Sequence, residues 1–168
     1  MKKIVMLLAL LASSALFGEN LVVNTDFSQV AKGKIVNWMK IGPGKATALQ
    51  DEKAVRLTAE DYSTSALSLR QNVATKIEPG KKYLVQCQVR SRDFTPGEKC
   101  DYGILLINKN WKGSAGVRRF KITNDNKWVT VKRVVTIPAN WSQVNAVLFI
   151  YNGKGSLDFS NIKITEVK

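Results

Sequence analysis

Apolar and polar residues alternate with a period of two along most of the chain, which is the pattern of β-strands that bury one face. The clearest case is YLVQCQVRS, residues 83–91, in which every second residue from Tyr83 to Val89 is apolar. The residues between them are Leu84, Gln86, Gln88 and Arg90. The apolar side predicts a core face. The other side carries two amides and a guanidinium in one row, so it is either ordinary solvated surface or a surface that meets a ligand.

Short segments of this kind recur, rich in β-branched and aromatic residues, and helical periodicity is almost absent. Turn sequences such as GPGK, EPGKK, TPGEK, NDNK and NGKG separate them. The predicted strands lie near 21–27, 34–41, 44–49, 53–59, 64–75, 81–92, 99–108, 116–123, 128–137, 143–151 and 156–167. Strands this numerous and closely spaced predict an all-β fold, an antiparallel β-sandwich of the jelly-roll type.

The chain begins with a segment typical of export. Residues 1–18, MKKIVMLLALLASSALFG, have two lysines, an apolar run and then small residues, which is the layout of a signal peptide. We expect cleavage after Gly18, with Ala15 as the alternative. The apolar run is too short to span a membrane and no later run is long enough, so we expect no membrane span. Residues 19–168 are predicted to form one secreted or periplasmic domain.

The charge of the chain is strongly positive. Lys and Arg number 26 against 13 Asp and Glu, a formal charge of +13 at pH 7 spread over the whole sequence. Such a surface favours acidic polysaccharide, lipid headgroups or nucleic acid, or simply keeps the protein in solution. No nucleic-acid-binding motif is present and the chain is predicted to be exported, so we expect no nucleic-acid partner.

Cys87 and Cys100 are the only cysteines, and export would permit a disulfide between them. If their strands form a simple hairpin, Cys87 faces roughly residue 103 and the bridge geometry is poor. If the strands belong to different sheets, a bridge could form. The sequence leaves both possibilities open.

Several short motifs follow one another in an informative order. They are NLVVNTDF (20–27), NW (37–38), LRQNV (69–73), IEPGKKYLVQCQVRS (77–91), KWVTVKRVVTIP (127–138) and VLFIYNGKGSLDFSNIKIT (147–165). Over essentially all of residues 20–168 this order resembles the secreted carbohydrate-binding modules of families four and nine, and more loosely family twenty-two. The resemblance implies a galactose-binding-domain-like jelly roll that holds a poly- or oligosaccharide, either across a concave sheet or among edge loops.

The resemblance also implies a structural calcium ion. In these families an acidic residue follows the early Phe, and an Asp lies in the last strand. Asp158 matches the second position, whereas the first is Ser28, which removes a charged ligand. Asp26 lies one alternation step away and is the available substitute. The alternative is that Asp26 and Asp158 cap turns or face solvent.

Carbohydrates are bound by aromatic faces stacked on sugar rings and by planar polar groups that hydrogen-bond the hydroxyls. Two aromatic residues in polar loops, Trp111 and Tyr62, are the stacking candidates, with Trp141 and Tyr151 as secondary ones. The sheet candidates are Gln86, Gln88 and Arg90, joined by two outward-pointing residues of the preceding strand, Arg70 and Asn72.

Other residues of these motifs are expected to stabilise the fold and not to bind a ligand. Gln71 shares the parity of apolar neighbours, so we expect it to satisfy buried backbone groups instead of binding ligand. Trp38, Trp128, Phe27 and Phe159 are expected in the core or packed at sheet edges.

Catalysis is not expected. The sequence contains no histidine, which removes His-based triads, His-ligated catalytic zinc and imidazole acid–base chemistry. A glycosidase could still use two carboxylates, but the pairs Asp51–Glu52 and Glu60–Asp61 lie in loop-like segments typical of solvated charge. We therefore expect a non-catalytic carbohydrate-binding module, for an acidic glycan or a neutral β-glucan. The alternatives are a structural or interaction β-sandwich at the cell envelope without a sugar site, and a glycan-active hydrolase. The oligomeric state is not fixed by the sequence.

Overall fold

The computed structural model describes residues 18–168. Segments of alternating apolar residues form antiparallel strands in it. In chain order they are β1 (Val30–Ala31), β2 (Lys34–Ile35), β3 (Met39–Ile41), β4 (Lys45–Leu49), β5 (Ala54–Ala59), β6 (Leu67–Asn72), β7 (Lys82–Ser91), β8 (Thr95–Ile107), β9 (Ser114–Arg118), β10 (Val129–Thr136) and β11 (Asn145–Glu166). Single turns of 3-10 helix occupy Gln50–Glu52 and Lys109–Trp111.

One long strand, β11, belongs to both sheets of the sandwich. Its first part pairs with β6 and β8, giving a first sheet of order β3-β6-β11-β8-β9. Its second part pairs with β5 and β7, giving a second sheet of order β4-β5-β11-β7-β10. All of these pairings are antiparallel, and the short strands β1 and β2 form a separate hairpin. The predicted all-β, antiparallel sandwich is confirmed.

The crossing of β11 between sheets corrects a predicted turn. The sequence NGKG indicated a hairpin between strands at 143–151 and 156–167, but the chain continues in the same direction. Asn152 has a φ of 50° and the register with β8 shifts between Tyr151 and Gly153, so the strand bends without reversing. A bulged bend of this kind redirects a strand and leaves it paired on both sides.

Two other predicted elements are wrong. The strand predicted at 21–27 is irregular backbone, in which Asn24 and Phe27 have φ of 49° and 54°. The turn predicted at TPGEK lies inside β8, because Thr95 and Pro96 pair with the bend of β11. Consequently β7 and β8 are not a hairpin of one sheet; Cys87 and Cys100 lie in different sheets, and both are free and buried.

The core lies between the two sheets and contains the predicted apolar residues. Phe27 and Phe159 are fully buried, and Trp38 is 5% exposed. Gln71 is buried as well, and its side chain accepts from Val23 N and donates to Val23 O and Asn37 O. The prediction that Gln71 satisfies buried backbone groups is therefore confirmed.

Nearly all of the predicted signal peptide, residues 1–17, lies outside the described residues. Within 18–168, no helix has the length and apolar character needed to cross a bilayer.

Candidate functional site

The two sheets present two outward surfaces. We call the outward strand positions of the first sheet the front face: alternate residues of Ser68–Asn72, Asp101–Ile107, Ser114–Arg118 and Asn145–Tyr151, with Met39 and Ile41. The back face is formed by outward positions of the second sheet, including alternate residues of Leu84–Arg90 and Ala54–Thr58, with Asp158. The predicted ligand residues are divided between these two faces.

Trp111 lies against the front face. The short helical turn that carries it is closed by hydrogen bonds from Trp111 N to Asn108 O (3.1 Å) and from Asn108 N to Gly113 O (2.9 Å). The indole meets the Phe149 ring edge-on, with centroids 5.7 Å apart and planes at 68°. Its residue remains 38% exposed, and its φ of 60° is rare for a side chain of this size. The loop thus holds a partly exposed indole at a fixed place on the face.

The same loop is anchored by a second tryptophan. A Cβ added at Gly113 would lie 2.9 Å from Trp141 Cζ2, so the glycine allows close packing of the loop on that indole. Trp141 itself is 7% exposed and belongs to the core. The secondary prediction that Trp141 stacks on a ligand is therefore wrong, because its ring packs in the core beneath the loop.

Two of the predicted ligand residues, Arg70 and Trp111, contact each other on the front face. The Cζ of Arg70 lies 5.2 Å from the indole centroid, within the range of a cation–π contact. Its Nε donates to Ser68 Oγ at 3.1 Å. Burial lowers the pKa of the Arg70 guanidinium, which nevertheless stays charged at neutral pH. The Trp111 ring therefore packs against the guanidinium of Arg70.

An apolar floor lies beside this pair, and sequence reasoning missed it. Leu105, Ile107, Val147 and Phe149 occupy outward positions and yet are 0–2% exposed, with Tyr151 packed at their edge. The sequence does contain a sign of this floor: in the runs ILLI (104–107) and AVLFI (146–150), the residues that point to either side of the strand are all apolar. Continuous apolar runs indicate strands buried on both faces.

The remaining candidates outside the back face differ in their exposure and in the contacts that they make. Asn72 is exposed and its Oδ1 accepts from Ala74 N at 2.9 Å, which caps the end of β6. Asn145 is its register partner and adds a second amide that the sequence did not single out. Tyr62 is 46% exposed, and its ring lies against Gly97 near the start of β8.

On the back face, Arg90 is committed to other protein groups. Its Nε and Nη2 donate to Asp158 Oδ2 at 3.0 and 2.6 Å, and Nη2 also pairs with Glu52. Its Cζ lies 4.4 Å from the Trp128 ring centroid, and the residue is only 7% exposed. Gln88 accepts from Asn161 Nδ2 at 2.8 Å, while Gln86 lies half-buried beside it. The row is thus separated from Trp111 by the thickness of the sandwich.

The residues proposed for calcium do not fit the ion. Asp158 is 1% exposed and also accepts from Arg56 Nε (2.7 Å) and Nη2 (2.9 Å), so two guanidinium groups surround its carboxylate. Burial alone would raise the pKa of Asp158, but hydrogen bonds from Arg56 and Arg90 outweigh it and lower the pKa. Asp26 accepts from Ser28 N and Oγ in a local turn. Among residues 18–168, no group of three or more His, Cys, Asp or Glu side chains could hold a metal ion.

A separate cleft of about 690 Å³ opens between edge strands β3 and β4. Its floor includes Trp38 and Leu69 and its rim carries Lys34, Lys40 and Lys45. None of the predicted ligand residues lines it.

The fold is a β-sandwich jelly roll in which one long strand is shared between the sheets and a loop aromatic borders the outward face of one sheet. Among solved structures, the chain is similar to a family 4 carbohydrate-binding module, CBM4, with a TM-score of 0.60 and 16% identity over 85% of this chain and 97% of that one. It is also similar to the CBM22-1 xylan-binding domain of Paenibacillus barcinonensis Xyn10C, with a TM-score of 0.61 and 13% identity over 90% and 96% of the two chains. The predicted resemblance in fold is confirmed.

Another similar structure is the enzymatically active domain of bacteriophage CBA120 tailspike protein 4, with a TM-score of 0.61 and 13% identity. The match covers 88% of this chain but only 21% of that one. No protein-family model matches the chain. No curated protein sequence matches it either.

Proposed function

We propose that this chain is an exported, non-catalytic module that binds a poly- or oligosaccharide on its front face, beside Trp111 and Arg70. The observation that carries the proposal is the placement of Trp111: an indole 38% exposed, fixed by Phe149 and Arg70 on the sheet of a carbohydrate-module fold. An exposed aromatic held in one orientation loses little entropy when a sugar ring packs on it.

Planar polar groups beside the indole would hydrogen-bond the sugar hydroxyls. Arg70 offers guanidinium donors, and the amides of Asn72 and Asn145 lie side by side on neighbouring strands. Because these groups stand on β-strands, their spacing is set by the sheet and does not have to be fixed on binding. Xylan is the first ligand to test, since the similar CBM22-1 domain is a xylan-binding one.

The state of the carboxylates supports binding without hydrolysis. A glycosidase needs one carboxylic acid with a raised pKa opposite a second carboxylate. In the described part of the chain, the carboxyls with a resolved shift, Asp26, Glu60, Asp125 and Asp158, all have a lowered pKa. Glu52 is engaged by Arg90 and Arg92, and Glu60 by Lys45.

Affinity electrophoresis in gels containing xylan or β-glucan tests the proposal. We expect retardation of the wild-type domain, loss of retardation in Trp111→Ala, and no change in Gln88→Ala on the back face. Loss in Gln88→Ala with retention in Trp111→Ala would move the site to Gln86, Gln88 and Arg90. No retardation by any neutral or acidic glycan would refute the function, and release of reducing sugar by the purified domain would refute its non-catalytic character.

A second candidate, a structural or interaction module without a sugar site, is favoured by the apolar floor. Leu105 and Val147 occupy outward positions at the centre of the front face and are only 0–1% exposed, so the sheet offers a glycan neither hydrogen-bonding groups nor open surface there. Under this alternative, the wild-type domain shows no retardation by any glycan.

A further inference from the structure

Arg70 is a partly buried cation without an anionic partner in the described residues. It forms no salt bridge there, and its single hydrogen bond from Nε goes to the neutral hydroxyl of Ser68. Its terminal Nη1 and Nη2 groups have no partner among these residues, while its Cζ lies 5.2 Å from the centroid of the Trp111 indole. Taking a charge partly out of water without compensating it is unfavourable, so the arrangement is better suited to a complex with an anion.

The charges of the surrounding face leave Arg70 uncompensated. Asp101 is the one carboxylate among the front-face positions defined above, and it pairs with Arg118 and Arg119. Arg70 aligns with Val147 and Val147 with Leu105, so Asp101 lies two strands across and four residues along from Arg70. From the spacing between strands and the rise per residue, the Cα atoms of Arg70 and Asp101 are about 16 Å apart. This exceeds the screening length of about 8 Å at physiological ionic strength.

The free end of the guanidinium has the geometry that a carboxylate requires. Two parallel N–H groups in one plane can donate to both oxygens of a single carboxylate, and such paired bonds are shorter and stronger than those between neutral groups. A uronic acid presents its carboxylate at the edge of a pyranose ring. Its ring could therefore contact the exposed part of Trp111 while its carboxylate reaches Arg70.

We propose that Arg70 binds the carboxylate of a uronic acid residue in the glycan ligand, so that the front face prefers acidic over neutral polysaccharide. This inference rests on the proposed carbohydrate-binding function and adds the charge of the ligand and the residue that recognises it.

The test compares polymers that differ only in the carboxyl group. Wild type, Arg70→Gln and Arg70→Lys are run in affinity gels containing glucuronoxylan or polygalacturonate, each beside its carboxyl-reduced form, at about 0.15 M salt. Arg133→Gln is the matched control, because it removes the same charge from an exposed arginine of β10. Circular dichroism melting checks that every variant is folded.

We expect wild type to bind at least one acidic polymer about tenfold or more tightly than its reduced form, and Arg70→Gln to lose that preference. Arg70→Lys should retain part of it, and Arg133→Gln all of it. Equal binding to acidic and reduced polymers by wild type would overturn the inference and leave the carbohydrate-binding function standing. Equal losses in Arg70→Gln and Arg133→Gln would also overturn it, as a general polyanion effect. Binding to neither form, nor to neutral glycans, would refute the proposed function itself.

Discussion

Arg90 and Asp158 form an ion pair with two hydrogen bonds across β7 and β11, at 3.0 and 2.6 Å, and both residues are almost completely buried. The sequence placed these residues in two different sites, one for glycan and one for calcium. In the structure, each is the other's partner. A buried carboxylate needs cations and donors around it, and here Arg56 and Arg90 supply them.

Replacing Arg90 by Ala is therefore expected to destabilise the fold. Asp158 would keep Arg56 and a longer contact with Arg92, whose Nε lies 3.7 Å from Oδ2. Removing one partner of a buried ion pair costs about 3 kcal/mol. The free energy of unfolding from urea titration measures this effect. Arg92→Ala is the control within the same cluster. Arg92 is 41% exposed and its contacts with Glu52 and Asp158 are longer, at 3.6 and 3.7 Å, so its substitution should cost less than about 1 kcal/mol. An Arg90→Ala variant with full stability but no glycan binding would restore Arg90 as a ligand residue.

The same pair predicts how stability depends on pH. The pKa of Asp158 is lowered in the folded state, so its stabilising contribution is present above the ordinary value of 3.8 and is lost as pH falls through the folded pKa. We expect the free energy of unfolding to fall below about pH 4 more steeply for wild type than for Asp158→Asn, which cannot titrate. Parallel curves for the two proteins between pH 7 and pH 3 would contradict the prediction.

Calcium is expected to have no effect on the melting temperature. The oxygens of Asp158 accept from two guanidinium groups, whose positive charges oppose a cation at that place. Melting curves with millimolar calcium and with chelator should coincide. An ion that binds only the native state raises stability with its concentration, so a shift of several degrees would show that calcium binds after all.

Much of the fold was predictable because burial leaves a local signature. Alternation in 83–91 gave β7 and its inner face, and the parity of Gln71 with Leu69 and Val73 gave its buried role. The strand at 21–27 failed because the apolar residues Val22 and Phe27 reach the core from irregular backbone. Alternation reports which residues are buried, and it cannot distinguish a paired strand from a loop that packs inward.

The candidate site was only partly predictable, since sites depend on how strands are assigned to sheets. Trp111 and Arg70, 41 positions apart in the chain, were both chosen for their chemistry and do meet. Arg90 was chosen for the same reasons and lies on the opposite face. Nothing local distinguishes the two arginines; the crossing of β11 between sheets decides which one accompanies the tryptophan.

Gly113 is expected to control the position of Trp111. A Cβ at this residue would come within 2.9 Å of the buried Trp141 ring, so Gly113→Ala should push the 109–113 turn away from the face. Trp141 is locked in the core, whereas the loop has few buried contacts and yields first. We expect weaker retardation by the glycan that wild type binds, a change in tryptophan fluorescence, and a loss of stability of about 1–2 kcal/mol.

Lys112→Arg is the matched control for that change, because it alters the exposed neighbour on the other side of Gly113, keeps its charge and adds no atom to the contact with Trp141. It should leave both fluorescence and retardation unchanged. If Gly113→Ala shifts the fluorescence but retains full glycan binding, then the ligand does not depend on the position of Trp111. The sugar site would then have to be sought on the back face, where Gln86 and Gln88 remain partly accessible.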